Sequence, residues 1–303
     1  MSKYIHMADM TDLFKTFGTE GKPLHPLVAV LDFTKSHVQV EVNTRIGADF
    51  YAILFKEYSG DNIRYGRKSV DFRDGRLVCL SPGQTLEMDS DEETDPTMAG
   101  WGLFFHPDFI RNTSLIEKMK DYTFFSYEVS ESLHLSDKEK QLLNDCLQKI
   151  ESELLENIDV HSQAIIVSSI ELLLNYCSRF YGRQFITRKH SNNDVVMQVE
   201  KLLAGYFQDS DKNEKGLPTV KYLASHVNLS PGYLGDLLKK ETGRNAQDHI
   251  HFHLIEEAKS ILLNTHRSVS EIAYSLGFEY PQYFTKLFKR KTGKTPVEFR
   301  NMN

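Results

Sequence analysis

Apolar residues between Pro26 and Phe105 fall in short runs at 27–33, 38–42, 50–55, 77–80 and 101–105, rich in β-branched and aromatic side chains. Such runs predict strands. Turn signals lie between them: Ser59-Gly60-Asp61-Asn62, Arg73-Asp74-Gly75 and Ser81-Pro82-Gly83. This spacing predicts an antiparallel barrel or sandwich. After His106-Pro107 the period becomes helical. Ser136-Asp137-Lys138-Glu139 reads as a capping box ahead of Leu142, Leu143, Cys146, Leu147 and Ile150, which share one helix face. A second helix, from about 160 to 181, carries Ile165, Ile166, Ile170, Leu172, Leu173 and Leu174 around much of its girth. It needs more than one packing partner, either the core of its own domain or a two-fold dimer seam. A third helix is expected from Ser191-Asn192-Asn193-Asp194, read as another capping box, to about Phe207. The polar stretch 208–218 reads as a linker or loop.

The C-terminal third contains an internal repeat. The apolar positions of 220–227 recur at 269–276, an offset of 49. Tyr233-Leu234, Leu237-Leu238-Lys239-Lys240 and Thr242-Gly243 recur at Tyr283-Phe284, Leu287-Phe288-Lys289-Arg290 and Thr292-Gly293, an offset of 50. The segment is a duplicated unit. Each copy predicts a short helix with a small inner Ala, a tight turn at Asn228-Leu229 or Gly277-Phe278, and a second helix opened by Ser-Pro or Tyr-Pro and closed by Thr-Gly. Small Ala permits a close crossing, Pro suits the first helical turn, and Gly suits the left-handed position past the last. These are helix-turn-helix instructions. Between the copies, 246–264 is amphipathic and predicts one helix about 28 Å long, close to the roughly 34 Å of one duplex turn. One chain is thus expected to address two neighbouring major-groove segments.

Composition sharpens this division. The 303 residues carry a net charge of −6, yet residues 217–303 hold 12 Lys and Arg against 8 Asp and Glu, and residues 1–216 hold 24 against 34. A basic module in an acidic protein fits one part meeting phosphate and the other not. With 40% hydrophobic and 26% charged residues the chain reads as globular, and its length suggests two domains. The opening residues lack a signal-peptide core, and no window approaches the roughly 20 apolar residues of a membrane span, so a cytoplasmic location without membrane association is expected. Cys79, Cys146 and Cys177 form no CxxC pair and read as buried thiols.

Ser275-Leu276-Gly277-Phe278, Tyr283-Phe284-Thr285-Lys286-Leu287-Phe288-Lys289 and Thr292-Gly293-Lys294-Thr295-Pro296-Val297-Glu298-Phe299-Arg300 resemble the signature of AraC/XylS-type transcription regulators. The likeness covers roughly 195–303. Upstream, the strand pattern and Leu77 to Gln84 (LVCLSPGQ) are similar, more loosely, to that family's cupin-like sensor barrel followed by dimerising helices. The resemblance implies an α+β protein: a cupin-like antiparallel β barrel over 1–134, a helical dimerisation segment over 135–190, and an all-α DNA-binding domain of two helix-turn-helix units over 195–303. It further implies a bacterial regulator of promoter DNA. The implied partners are double-stranded DNA, a second copy of the chain, a small-molecule effector of the barrel, and RNA polymerase.

In the second recognition helix Phe284, Leu287 and Phe288 take the core, which leaves Pro281, Gln282, Thr285, Lys286, Lys289 and Arg290 outward. Gln282 suits adenine, Lys286 suits guanine or phosphate, and Lys289 with Arg290 suit phosphate. Tyr283 joins this set. In the first unit the expected DNA contacts are Ser230, Tyr233, Asp236, Lys239 and Lys240. There Leu234, Leu237 and Leu238 are core, and Gly232, Gly235 and Asp236 stand where the family usually presents longer polar or basic readers. Asp236 would repel phosphate unless it accepts from a cytosine amino group, so the second unit is expected to supply more of the specific contacts. His253 is a second departure, because the family's linker helix commonly has Arg there.

Other chemistry finds little support. His249 and His253 share a helix face at i, i+4 and read either as a polar face or as a metal pair. The acidic run 89–95 lacks calcium-loop spacing and reads as a solvated loop. A metal-dependent cupin enzyme with a DNA-binding appendage would need an HxH pair with a carboxylate and a third His. His6, His25, His37, His106 and His134 are isolated instead. With no nucleophile elbow or phosphate loop either, neither catalysis nor a cofactor is expected.

Overall fold

The computed structural model describes residues 3–36, 44–57, 63–65, 68–70, 75–88, 99–156, 159–187, 189–208 and 216–301. The chain forms two compact units, Met1–Thr187 and Arg188–Asn303. Among the described residues no helix is long and apolar enough to cross a membrane. The expected strand at 38–42, the turn at 59–62 and the acidic run at 89–95 lie outside the described residues, as do Arg73 and Asp74.

In the first unit β1 (Lys3–Met7) and α1 (Met10–Thr16) precede β2 (Val28–Asp32), β3 (Thr44–Ala48), β4 (Tyr51–Glu57), β5 (Ile63–Tyr65), β6 (Lys68–Val70), β7 (Arg76–Leu80), β8 (Thr85–Met88) and β9 (Ala99–Phe105). Short helices α2 (Pro107–Ile110) and α3 (Ser114–Lys118), the two-residue strand β10 (Leu133–His134), and the long helices α4 (Asp137–Leu155) and α5 (Ser162–Thr187) complete it. Strands β10-β7-β4-β9-β2 form one sheet, β1-β3-β8 a second, and β5-β6 a hairpin. The expected β module is thus present as sheets, without a closed barrel among the described residues, and its strands are not all antiparallel. Among the described residues the strands make three separate sheets, and β1 pairs with β3 in parallel.

Strand β4 is buried on both faces, which is why its sequence reads as one apolar run rather than an alternation. Ala52 and Leu54 join Met10, Leu13, Phe33, Ile46, Val78 and Phe104 in the core on one side. On β9 the alternate residue Trp101 donates from Nε1 to Asn144 Oδ1 on α4 at 2.7 Å, which places that helix over the opposite face. The Ser136 capping box forms as the sequence predicts. Its Glu139 also receives Arg183 of α5, whose Nε lies 2.9 Å from Oε1, so a local cap also ties the two long helices together.

In the second unit α6 (Lys189–Gln208) leads to α7 (Val220–His226), α8 (Pro231–Thr242), α9 (Ala246–Asn264), α10 (Val269–Ser275), α11 (Pro281–Thr292) and α12 (Pro296–Arg300). The helix expected to start at Ser191 begins earlier. Helix α6 runs through the tetrapeptide 191–194, and the buried Asn192 donates its amide to Glu241 Oε1 of α8 at 3.0 Å.

Candidate nucleic-acid interface

Each duplicated unit is assembled by the same backbone devices. Helix α7 is capped by Thr219, which accepts from Tyr222 N at 3.0 Å, and α10 by Ser268 in a capping box with Glu271. Both turns need a positive φ at the same place in the repeat: Asn228 takes +56° and Gly277 +89°. Asn and Gly are the residue types that tolerate this region. The inner Ala224 and Ala273 are fully buried where the helices cross. Both recognition helices, α8 and α11, begin with Pro and end at a left-handed Gly, Gly243 and Gly293. Thr242 donates to Leu238 O and accepts from Arg244 N, and Thr292 repeats this with Phe288 O and Lys294 N.

The second recognition helix is amphipathic in the sense needed for a groove reader. Phe284, Leu287 and Phe288 are buried, and Gln282, Tyr283, Lys286, Lys289 and Arg290 are exposed. Gln282, Lys286, Lys289 and Arg290 follow i, i+4, i+7, i+8 spacing and share one face. Pro281 and Thr285 are half-buried, and the Thr285 hydroxyl donates to Pro281 O at 3.2 Å. The neighbouring Lys291 is committed elsewhere, donating to Asp248 Oδ1 at 2.9 Å and joining α11 to the start of α9. That hydrogen bond is the main reason the Asp248 carboxyl lies below the ordinary range.

The first recognition helix differs. Leu234, Leu237 and Leu238 are core as expected, and Lys239 and Lys240 are exposed at its C-terminal end. Asp236 is half-buried. Two expected contacts are not on the surface. Ser230 is buried and accepts from Tyr233 N as the helix cap, and Tyr233 is 4% exposed where its repeat counterpart Tyr283 is 59% exposed. Helix α6 packs against α8. The exposed polar residues of the expected set are thus concentrated in α11.

The linker helix α9 spans 246–264 as the sequence predicts, about 28 Å at the helical rise. Its ends are anchored by residues the sequence left unassigned. Arg300 donates from Nε to Leu262 O at 3.1 Å and from Nη2 to Arg267 O at 2.7 Å, holding the last turn of α9 and the entry to α10 together. Glu200 of α6 lies between the two histidines that suggested a metal pair. Its Oε1 is 2.7 Å from His249 Nδ1 and its Oε2 is 2.5 Å from His253 Nε2. A carboxylate only accepts, so both rings donate to it. Burial pushes the Glu200 carboxyl up, but hydrogen bonds from His253 and His249 outweigh this and hold it below the ordinary range. His253 therefore anchors α9 to α6 through a carboxylate. Among the described residues no group of three or more His, Cys, Asp or Glu is arranged to hold a metal ion.

Residues 223–302 match the helix-turn-helix domain family. The uncharacterized HTH-type transcriptional regulator YfiF of Bacillus subtilis is 26% identical over 188 residues, covering 62% of this chain and 56% of that protein. The bifunctional transcriptional activator/DNA repair enzyme AdaA of the same organism is 34% identical over 93 residues, covering 31% of this chain and 44% of that one. The chain thus spans about half the length of these curated relatives. Among solved structures, the C-terminal domain of the two-component response regulator yesN from Fusobacterium nucleatum is 30% identical with a TM-score of 0.31, covering 35% of this chain and 98% of that domain.

Proposed function

We infer that this chain, whose C-terminal unit is a helix-turn-helix domain of the AraC type, is a DNA-binding transcription regulator. The observation that carries the reading is the exposed face of Gln282, Lys286, Lys289 and Arg290 on a helix whose other face is core, set in the second of two matched helix-turn-helix units. The face offers amide and ammonium donors to base edges and phosphates, and α9 separates the two units by nearly one duplex turn. Specific readout falls mainly on the second unit, because the first has lost Ser230 and Tyr233 to its interior and presents Asp236. The alternative of a metal-dependent cupin enzyme with a DNA-binding appendage has less support, since the relatives carry regulator names.

The first unit is the sensor in this reading, and a small molecule in it changes how the DNA-binding units of a dimer are presented. The dimer draws support from α5, where Ile165, Leu172 and Ile186 fall at multiples of seven and all three are exposed.

Anisotropy titration on the promoter next to its own gene tests the reader assignment. Lys286→Ala should weaken binding about tenfold, the worth of one good polar contact, and Asp236→Ala should leave it unchanged or tighter. A larger loss from Asp236→Ala would contradict it.

A further inference from the structure

The five-stranded sheet of the first unit sets three side chains in one row across β2, β9 and β4. Asp32 stands opposite Trp101, and Trp101 opposite Phe55. Directly opposed residues share a face of the sheet, and Trp101 donates to Asn144 of α4, so the row faces that helix. Between row and helix lies a cavity of about 310 Å³, bounded on the helix side by Asn144, Leu147, Gln148 and Glu151. At the 10–15 Å³ that a single water occupies, it has room for about twenty non-hydrogen atoms. The Phe55 and Trp101 rings lie 5.6 Å apart between centroids, and the bond to Asn144 fixes how the indole is turned.

The wall is aromatic and the polar lining is acidic. No Lys or Arg is among the described residues that line it. Asp32 is partly committed. Its Oδ1 accepts from Thr34 N at 3.0 Å and from the Thr34 hydroxyl at 2.6 Å, and its Oδ2 lies 3.3 Å from Lys35 Nζ. That lysine is 80% exposed, so water weakens the pair. Glu151 is half-buried and, among the described residues, has neither a hydrogen bond nor an ion pair. Burial and then the charge of Asp32 push its carboxyl up, and Lys35 offsets this only in part. Two carboxylates against one ammonium leave one negative charge, which a single positive charge on a ligand would balance. Aromatic rings, Trp above all, attract cations, and the free oxygens of Glu151 favour a cation that carries N–H donors over a quaternary one.

We propose that this cavity binds a small primary amine in its ammonium form, with the charge on the Glu151 carboxylate and the apolar body on the Phe55 and Trp101 rings. As an effector site it rests on the sensor reading, but the binding step stands apart from DNA and is measured apart from it.

Trp101 is the single tryptophan of the chain, so its emission reports on this site alone. Titration of the full chain with butylamine and phenethylamine, and with the matching neutral alcohols butanol and phenylethanol, followed by calorimetry and by Trp101 emission, tests the proposal. At least one amine should saturate in the micromolar to millimolar range with a change in emission, and its alcohol should bind at least about tenfold more weakly. Glu151→Gln, which keeps the shape and removes the charge, should bring the amine down to the alcohol's affinity. Equal binding of amine and alcohol, an unchanged amine affinity in Glu151→Gln, heat of binding without any change in emission, or no saturation by either amine would overturn the proposal. If Glu151→Gln does not fold, the comparison of amine with alcohol on the unaltered chain decides alone. Promoter titrations with and without the amine separate the two readings. Amine binding that leaves DNA affinity unchanged supports the site and removes only its regulatory role, whereas selective promoter binding without amine binding keeps the regulator and overturns the site.

Discussion

Gly277 and Gly293 both take positive φ, at +89° and +79°, yet their surroundings differ. A Cβ at Gly277 would come within 2.6 Å of Gly216 C, and one at Gly293 would meet nothing within 4 Å. Gly293→Ala should therefore cost only the left-handed backbone, about 1 kcal/mol, and Gly277→Ala about 2 kcal/mol or more because the Gly216 backbone must also move. Denaturant unfolding of both variants checks this, and equal losses would show that the turn is not packed as described. The turn residues are the part of the fold most legible in sequence, since the φ demanded of Asn228, Gly243, Gly277 and Gly293 is local and the residue type answers it directly. Surface position was less legible. Tyr233 and Tyr283 occupy equivalent places in the repeat, yet one is buried and the other exposed, a difference that the local sequence does not carry.

Among the elements, α9 has the same bounds in sequence and structure because its amphipathic period, its Asn245 cap and its flanking turns all agree. What fixes it in place was hidden. His249 and His253 were visible as an i, i+4 pair, but their partner Glu200 lies 49 and 53 residues earlier on another helix, a distance no local pattern spans. The same limit applies to β1, β3 and β8, whose short, mixed sequences become strands by pairing with one another. Glu200 also predicts a pH response. Its carboxyl lies lower in the folded chain than the roughly 4.3 of an unfolded one, so its contribution to stability is present above that value and is lost as pH falls through the folded one. Unfolding free energies measured between about pH 3 and 6 should decline more steeply in the unaltered chain than in Glu200→Gln. Parallel curves would remove the clamp from the account.

Across the whole molecule, the division into an acidic sheet-and-helix unit and a basic helical unit was legible from periodicity and charge together. The architecture of the first unit was not, because an alternation of apolar runs does not say whether strands close into a barrel or split into sheets. The duplication in the second unit supports the functional conclusion, and two helix-turn-helix units joined by a helix about 28 Å long predict an asymmetric element of about 20 base pairs. The most direct test is binding of the full chain to the promoter next to its own gene and to a scrambled duplex, repeated over a series of salt concentrations. Tight, promoter-selective binding is predicted, with an affinity that falls steeply as salt rises, by about 0.9 logarithmic units per decade of salt for each phosphate neutralised. Weak binding that is equal on the two duplexes and indifferent to salt would contradict the assignment of α8 and α11 as DNA readers.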